Sequence, residues 1–207
     1  ILDYSEQGKV KIKMYHYIQM ILDEAPADLL KGIHNTSPAA AHLFQVSDDP
    51  DKKLSQEQAE EFHSIVARLI FLGNQGHPDI QTALSFLCTR VTKPDSDDWK
   101  KLGRVLRYLA GTIDMTLTLS SDSTHNVYWW VDASYAVHPN MHSHTGGSLS
   151  LGSGCAYSVS TRQKLVTRSS TEGELVGAHD VLPQIMWTRY FLEGQGYGIN
   201  DNILYQD

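Results

Sequence analysis

Four acids stand where the chain could do chemistry: Asp132, Glu172, Glu174 and Asp207. Residues 127–131 (VYWWV) are dense in β-forming side chains and run into Asp132. Residues 203–205 (ILY) form a second strand-like run, followed by Gln206 and Asp207. Between them, Glu172 and Glu174 open a helix-forming stretch. In an open α/β sheet, ligands gather in the crevice outside the strand ends. Carboxylates from two neighbouring strands and a helix repel one another unless a cation sits between them. Hard oxygen donors on a partly open site suit Mg²⁺ or Mn²⁺. Two such ions, roughly 3.5–4 Å apart, activate a water and stabilise the leaving oxygen of a phosphodiester. Each acid also has a plainer reading: an Asp after a strand starts a turn, and a first-turn Glu favours the helix dipole.

Two basic groups could hold a polyanion. Lys100, Arg104 and Arg107 fall on one helix face at steps of four and three. They read either as phosphate contacts or as a solvated face, and the acidity of the chain favours the second. Arg162, Lys164 and Arg168 are three of the four cations in residues 113–207 and lie close to the acids in sequence, which points to substrate contact. His138, His142 and His144 lie in the loop after Asp132, without the closed spacing of a zinc site; they read as hydrogen-bonded loop histidines. Cys155 has no base placed beside it and reads as a small strand residue. Gly146, Gly147, Gly152 and Gly154 lack a following Gly-Lys-Ser/Thr, so they read as turn and close-packing positions rather than a phosphate loop.

The elements that must position these residues follow from local signals. ILDYSEQGKVKIKM reads as a hairpin turning near Gln7-Gly8, and residues 15–24 as a short helix. Residues 32–53 read as an irregular linker. Ser55 with Gln58 three residues on is a capping-box start for a helix ending at Gly73. Pro78 opens a second helix reaching about Val91, and Pro94-Asp95-Ser96 a third that stops at Gly111. Residues 115–119, 127–132, 147–151 and 155–160 read as strands. Ser170 or Thr171 caps a helix that Pro183 breaks or kinks. Trp129 and Trp130, inside the strand, are expected in the core rather than as base-stacking platforms; facing opposite ways, one of them could reach the interface with the helical part. The order strand, strand, strand, helix, strand argues for an α/β fold with a mixed sheet covered by helices. The boundary is expected near residue 113: a hairpin and helical part over 1–112, then a sheet part over 113–207.

Composition narrows the partners. The chain has 207 residues and a formal net charge of −7, an ordinary globular balance. Residues 1–112 hold 13 Lys+Arg and 15 Asp+Glu; residues 113–207 hold 4 and 9. Bulk charge therefore gives no grip on nucleic acid, and local patches or metal ions must supply it. No run is long enough to span a membrane. Two cysteines without metal-ligand spacing fit an intracellular setting: cytoplasm, virus-like particle or nucleus.

The longer motifs carry a resemblance. WWVDASYAVHP, HSHTGGSLSLGSG, YSVSTRQKLVTRSSTEGELVG, LPQIMWTRYFLEGQGY and ILYQD resemble the ribonuclease H domain of copia-type LTR retrotransposon polyproteins. Upstream, DYSEQGKVKIKMYHYIQMIL, FHSIVARLIFLGNQGHPDIQTALSFL and WKKLGRVLRYLAGT are similar to the thumb or connection region that follows the polymerase palm there. The resemblance implies a five-stranded mixed sheet with helices. It implies cleavage of the RNA strand of an RNA–DNA hybrid with two Mg²⁺ or Mn²⁺ ions, and the rest of the reverse transcriptase polyprotein as a partner. Carried over by residue, Asp132 is the first-strand ligand, Glu174 the helix ligand and Asp207 the fourth-strand ligand. Glu172, two residues from Glu174 and on another helix face, becomes a capping or supporting residue. The family's fourth acid has no counterpart in the chain, Gly173 stands where the family usually has Ala, and the polymerase's Y-x-D-D acids are absent. A truncated, catalytically inactive or repurposed fragment that keeps the fold as a binding or structural module is the alternative these departures leave open.

Overall fold

The computed structural model describes residues 1–47, 49–122 and 124–206. It divides into two compact units: Ile1 with Ile12–Thr116, and Leu2–Lys11 with Leu117–Asp207. The N-terminal hairpin thus groups with the second unit rather than with the helices that follow it. Its strands β1 (Leu2–Asp3) and β2 (Lys9–Lys13) continue a sheet with β3 (Thr116–Ser121), in the order β1-β2-β3-β6, where β6 is Gly152–Ser153.

The first unit is helical. α1 spans Tyr15–Glu24, α2 Ala27–Leu30, α3 Gln56–Gln75, α4 Gln81–Arg90 and α5 Ser96–Gly111. The cap of α3 is the one its sequence specifies: Ser55 accepts from the Gln58 amide at 3.2 Å, and the Gln58 side chain accepts from Ser55 N. Pro78 begins a 3₁₀ turn over Pro78–Ile80 that leads into α4. At α5, Asp95 accepts from the amides of Asp97 and Asp98, both at 2.8 Å, and Asp98 answers to Asp95 N. Phe62, Ile65, Leu69, Leu72, Leu87, Leu102 and Leu106 form the centre of this core, each essentially excluded from water. Burying a side chain of this size contributes about 1.5–3 kcal/mol.

The second unit is built on a mixed sheet ordered β7-β5-β4-β8, where β4 is Val127–Ser134, β5 His144–Ser150, β7 Tyr157–Arg162 and β8 Asn202–Tyr205. β4 pairs antiparallel with β5 and parallel with β8, and β5 pairs antiparallel with β7. Four strands, not five, make this sheet among the described residues, because β3 pairs with β6 in the other sheet instead. α6 (Ser170–Gly194) packs on β4 and β5. Val127, Trp129 and Val131 point into this core beside Leu149, Val181 and Ile185.

Two expectations are corrected here. Trp130 is not core: β4 alternates strictly, with residues 127, 129, 131 and 133 buried, so Trp130 faces out at 45 % exposure and stacks on Tyr205 with ring centroids 5.4 Å apart. α6 is not broken at Pro183, which leaves the kink of the two expected outcomes; it starts from Ser169 as N-cap rather than Ser170 or Thr171 and continues to Gly194. Pro183 and His179 both lie on exposed positions, so water can serve the carbonyl that proline leaves without an amide partner.

Candidate functional site

The first turn of α6 meets the end of β4. Gly173 is buried there, with Ser143 and Thr167 beside it, so the helix start lies close against the sheet. This brings Glu174, half-buried, onto two strands at once. Its Oε1 accepts from Ala133 N on β4 at 3.1 Å. Its Oε2 accepts from the Gln206 amide, just past β8, at 3.3 Å, and the same amide donates to Glu174 O at 2.6 Å.

Asp132 is the residue before Ala133, on the outward face of β4, and it is exposed. Among the described residues the β4–β8 register ends at Trp130↔Tyr205. Asp132 is two residues beyond Trp130, and Asp207 two beyond Tyr205. Asp207 itself lies outside the described residues. The structure therefore brings Glu174 to the backbone of β4 next to Asp132 and to Gln206 just past β8. Among the described residues no group of three His, Cys, Asp or Glu side chains converges as a metal site. Glu172 caps instead: Ser169 Oγ accepts from its amide at 3.2 Å, and its own carboxylate accepts from Arg168 N at 2.7 Å.

Gln163 was missed as a positioning residue. It is fully buried, and its amide donates to Gly173 O at 2.7 Å and to Thr145 Oγ1 at 2.9 Å. It therefore ties the end of β7 and strand β5 to the carbonyl next to Glu174. The only signal in the sequence was an uncharged residue between Arg162 and Lys164.

The loop histidines form a bonded network. His138 Nε2 and His144 Nδ1 are 3.0 Å apart, His144 Nε2 lies 2.7 Å from Ser160 Oγ, and His142 Nδ1 lies 2.7 Å from Gln163 O. Burial holds both His138 and His144 down to about 4, with Arg162 adding to the effect on His138 and His138 to that on His144. Both are neutral at neutral pH. They shape the base of the Asp132 loop; they do not act as cations there.

Arg162 ends β7, level with His144 and, across it, Ser134. Gly146 separates Asp132 from Ser160 in the preceding row of that face. Arg162, Lys164 and Arg168 are all exposed. The other basic group is different: Arg104 Nε donates to Ser37 O at 3.0 Å and Arg107 to Leu29 O at 2.7 Å, while Lys100 pairs with Asp97 at 3.2 Å.

An α/β chain with a carboxylate held at paired strand ends has relatives by sequence. Over 184 residues it is 29 % identical to a putative transposon Ty5-1 protein of Saccharomyces cerevisiae, covering 87 % of this chain and 58 % of that one. Over 128 residues it is 34 % identical to the retrovirus-related Pol polyprotein from transposon RE2 of Arabidopsis thaliana, covering 61 % of this chain and 9 % of the relative. The Pol polyprotein from transposon TNT 1-94 of Nicotiana tabacum is 26 % identical over 208 residues, 96 % of this chain and 15 % of the relative. The chain is similar to retrotransposon Pol polyproteins and matches a fragment of them. It spans less than two thirds of the length of each of these relatives. No family model matches it, and no solved structure matches it. Among the described residues, no helix is long and apolar enough to cross a membrane.

Proposed function

We propose that residues 113–207 are the ribonuclease H part of a retrotransposon reverse transcriptase and hydrolyse the RNA strand of an RNA–DNA hybrid. Residues 1–112 are the thumb or connection part, and the rest of the polyprotein is their partner. The observation that carries this reading is Glu174, whose carboxylate is bonded from β4 beside Asp132 and from Gln206 beside Asp207. The donor set fits Mg²⁺ or Mn²⁺: carboxylate oxygens, with Asp132 open to solvent and Glu174 half-buried. Asp132, Glu174 and Asp207 would hold the ions, and a bound divalent ion supplies an activated water and charge neutralisation at the phosphodiester.

The chain's own contribution is placement. The strand ends fix Asp132, and Gln163 and Gln206 fix the turn that presents Glu174. Glu174 would hold an ion with the oxygen lone pairs that its bonds from Ala133 N and Gln206 leave open. Arg162, Lys164 and Arg168 stand exposed to meet backbone phosphates. The face beside Asp132 carries Gly146, Ser148, Ser158 and Ser160, small or hydroxyl side chains suited to reading duplex shape and 2′-hydroxyls rather than base sequence.

The test is cleavage of a labelled RNA–DNA hybrid in Mg²⁺ or Mn²⁺ by the chain and by its Asp132→Asn and Glu174→Gln variants. The expected result is metal-dependent cleavage, reduced at least about a hundredfold in each variant. Equal cleavage by parent and Asp132→Asn would remove Asp132 from the site. No cleavage by any of them would leave the fold as a binding or structural module.

A further inference from the structure

The helical unit contains a cleft of about 540 Å³ between α5 and the segment that precedes α3. Its volume lies in the ordinary range for ligand sites. Its charge does not follow the chain as a whole. Among the described residues, Lys52, Lys100, Lys101, Arg104 and Arg107 line it with one carboxylate, Asp97, five cations to one acid in a chain of formal net charge −7.

These cations are held in place. Arg104 and Arg107 each give one nitrogen to a backbone carbonyl, Ser37 O and Leu29 O. A guanidinium carries five N–H donors in a rigid fork, so such a bond orients the group and leaves donor capacity for a second acceptor. Lys101 is committed: it is buried, donates to Gln45 O, lies over the Phe86 ring and neighbours Asp98. Lys52 and Lys100 flank Asp97 from two sides, at 2.7 and 3.2 Å. A carboxylate shared by two ammonium groups neutralises neither fully. Low-dielectric walls around one sign of charge focus its field on an anion.

We propose that this cleft is a phosphate-binding site, with Lys52, Lys100, Arg104 and Arg107 as its donors. The chemistry is shared by two sources, the backbone of a nucleic acid and a free polyphosphate. The proposal does not depend on the nuclease reading, because the cleft lies wholly within the helical unit.

The experiment uses the full chain carrying Asp132→Asn, so that hybrid cleavage does not confuse binding. Affinity for a fluorescent RNA–DNA hybrid is read by anisotropy across a salt series, and affinity for inorganic tripolyphosphate by calorimetry. Both are repeated with Lys52→Ala and Lys100→Ala combined. Neither lysine holds a backbone carbonyl, and the Lys100 side chain is 75 % exposed, so the fold survives; circular dichroism checks this. A nucleic-acid source predicts roughly tenfold weaker hybrid binding and a salt slope shallower by about two. A free-phosphate source predicts a similar loss for tripolyphosphate with hybrid binding unchanged. Either loss supports the site. Unchanged affinity for both ligands, or no binding of either by the parent, overturns it, whatever the nuclease assay shows.

Discussion

Gly173 immediately precedes Glu174, and the family usually has Ala there. A Cβ at Gly173 would lie 3.4 Å from Ser143 Oγ and 3.6 Å from Thr167 Oγ1, ordinary contact distances. Gly173→Ala should therefore stabilise the second unit by about 0.5–1 kcal/mol through helix entropy alone. Gly147 offers the contrast. A Cβ there would meet Val159 at 2.9 Å and Val181 at 3.3 Å, inside the packed face between β5 and α6. Gly147→Ala should destabilise by about 1–3 kcal/mol. Urea unfolding of the two variants beside the parent checks both signs, and a destabilised Gly173→Ala would mean that the start of α6 has no room for a methyl. The histidine pair makes a separate prediction. His138 and His144 titrate near 4 when folded and near 6.5 when unfolded, so the unfolded chain binds more protons between those values. Stability is then fully present above about pH 6.5 and falls as pH drops towards 4, by on the order of 3 kcal/mol per histidine. Replacing both with Gln should flatten that part of the stability–pH curve.

At the scale of elements, the starts of α3 and α5 were legible, the cap of α6 is Ser169 rather than Ser170 or Thr171, and the partners were not legible. Ser55 with Gln58, and Asp95 with Asp98, fix helix starts through bonds spanning three residues, and such bonds are written in adjacent sequence. Whether a strand is covered on one face or two depends on what packs against it from far along the chain. The VYWWV run shows no such information, and Trp130 proved to be outward. Pro183 likewise weakens a helix by a fixed local amount, which a long packed element such as α6 absorbs. Asp132 and Glu174 were found because one follows a dense β-forming run and the other lies near the start of a helix; Gln163 escaped because its work is to bond a carbonyl ten residues away. The start of α5 has more than a cap. Asp98 is fully buried, with Arg90 at 2.8 Å and Lys101 at 3.5 Å. Asp98→Ala removes the capping partner and leaves two cations without their shared acid, so it should cost about 3–5 kcal/mol. Asp97→Ala, in the same turn but with its side chain a third exposed, should cost well under half of that; similar losses in the two melts would show that burial is not what makes Asp98 matter.

Across the whole molecule, charge and site pull in one direction. The sheet-bearing residues 113–207 hold nine acids and four bases, and three of those nine are the proposed ligands. A divalent cation that binds the folded chain at these acids, and not the unfolded one, must raise stability by mass action. At tenfold excess over its dissociation constant the gain is about 1.4 kcal/mol. A general response of an acidic protein to salt would instead track ionic strength and be shared by NaCl. Thermal melts in Mg²⁺ should therefore shift upward for the parent, more than in NaCl of equal ionic strength, and the excess should vanish in Asp132→Asn and in Glu174→Gln. The comparison separates two properties that an activity assay merges. An excess shift without cleavage means the carboxylates converge and bind while the reaction lacks something else. Cleavage requires the shift, so hybrid cleavage with no metal-specific stabilisation would place the active carboxylates somewhere other than the ends of β4 and β8.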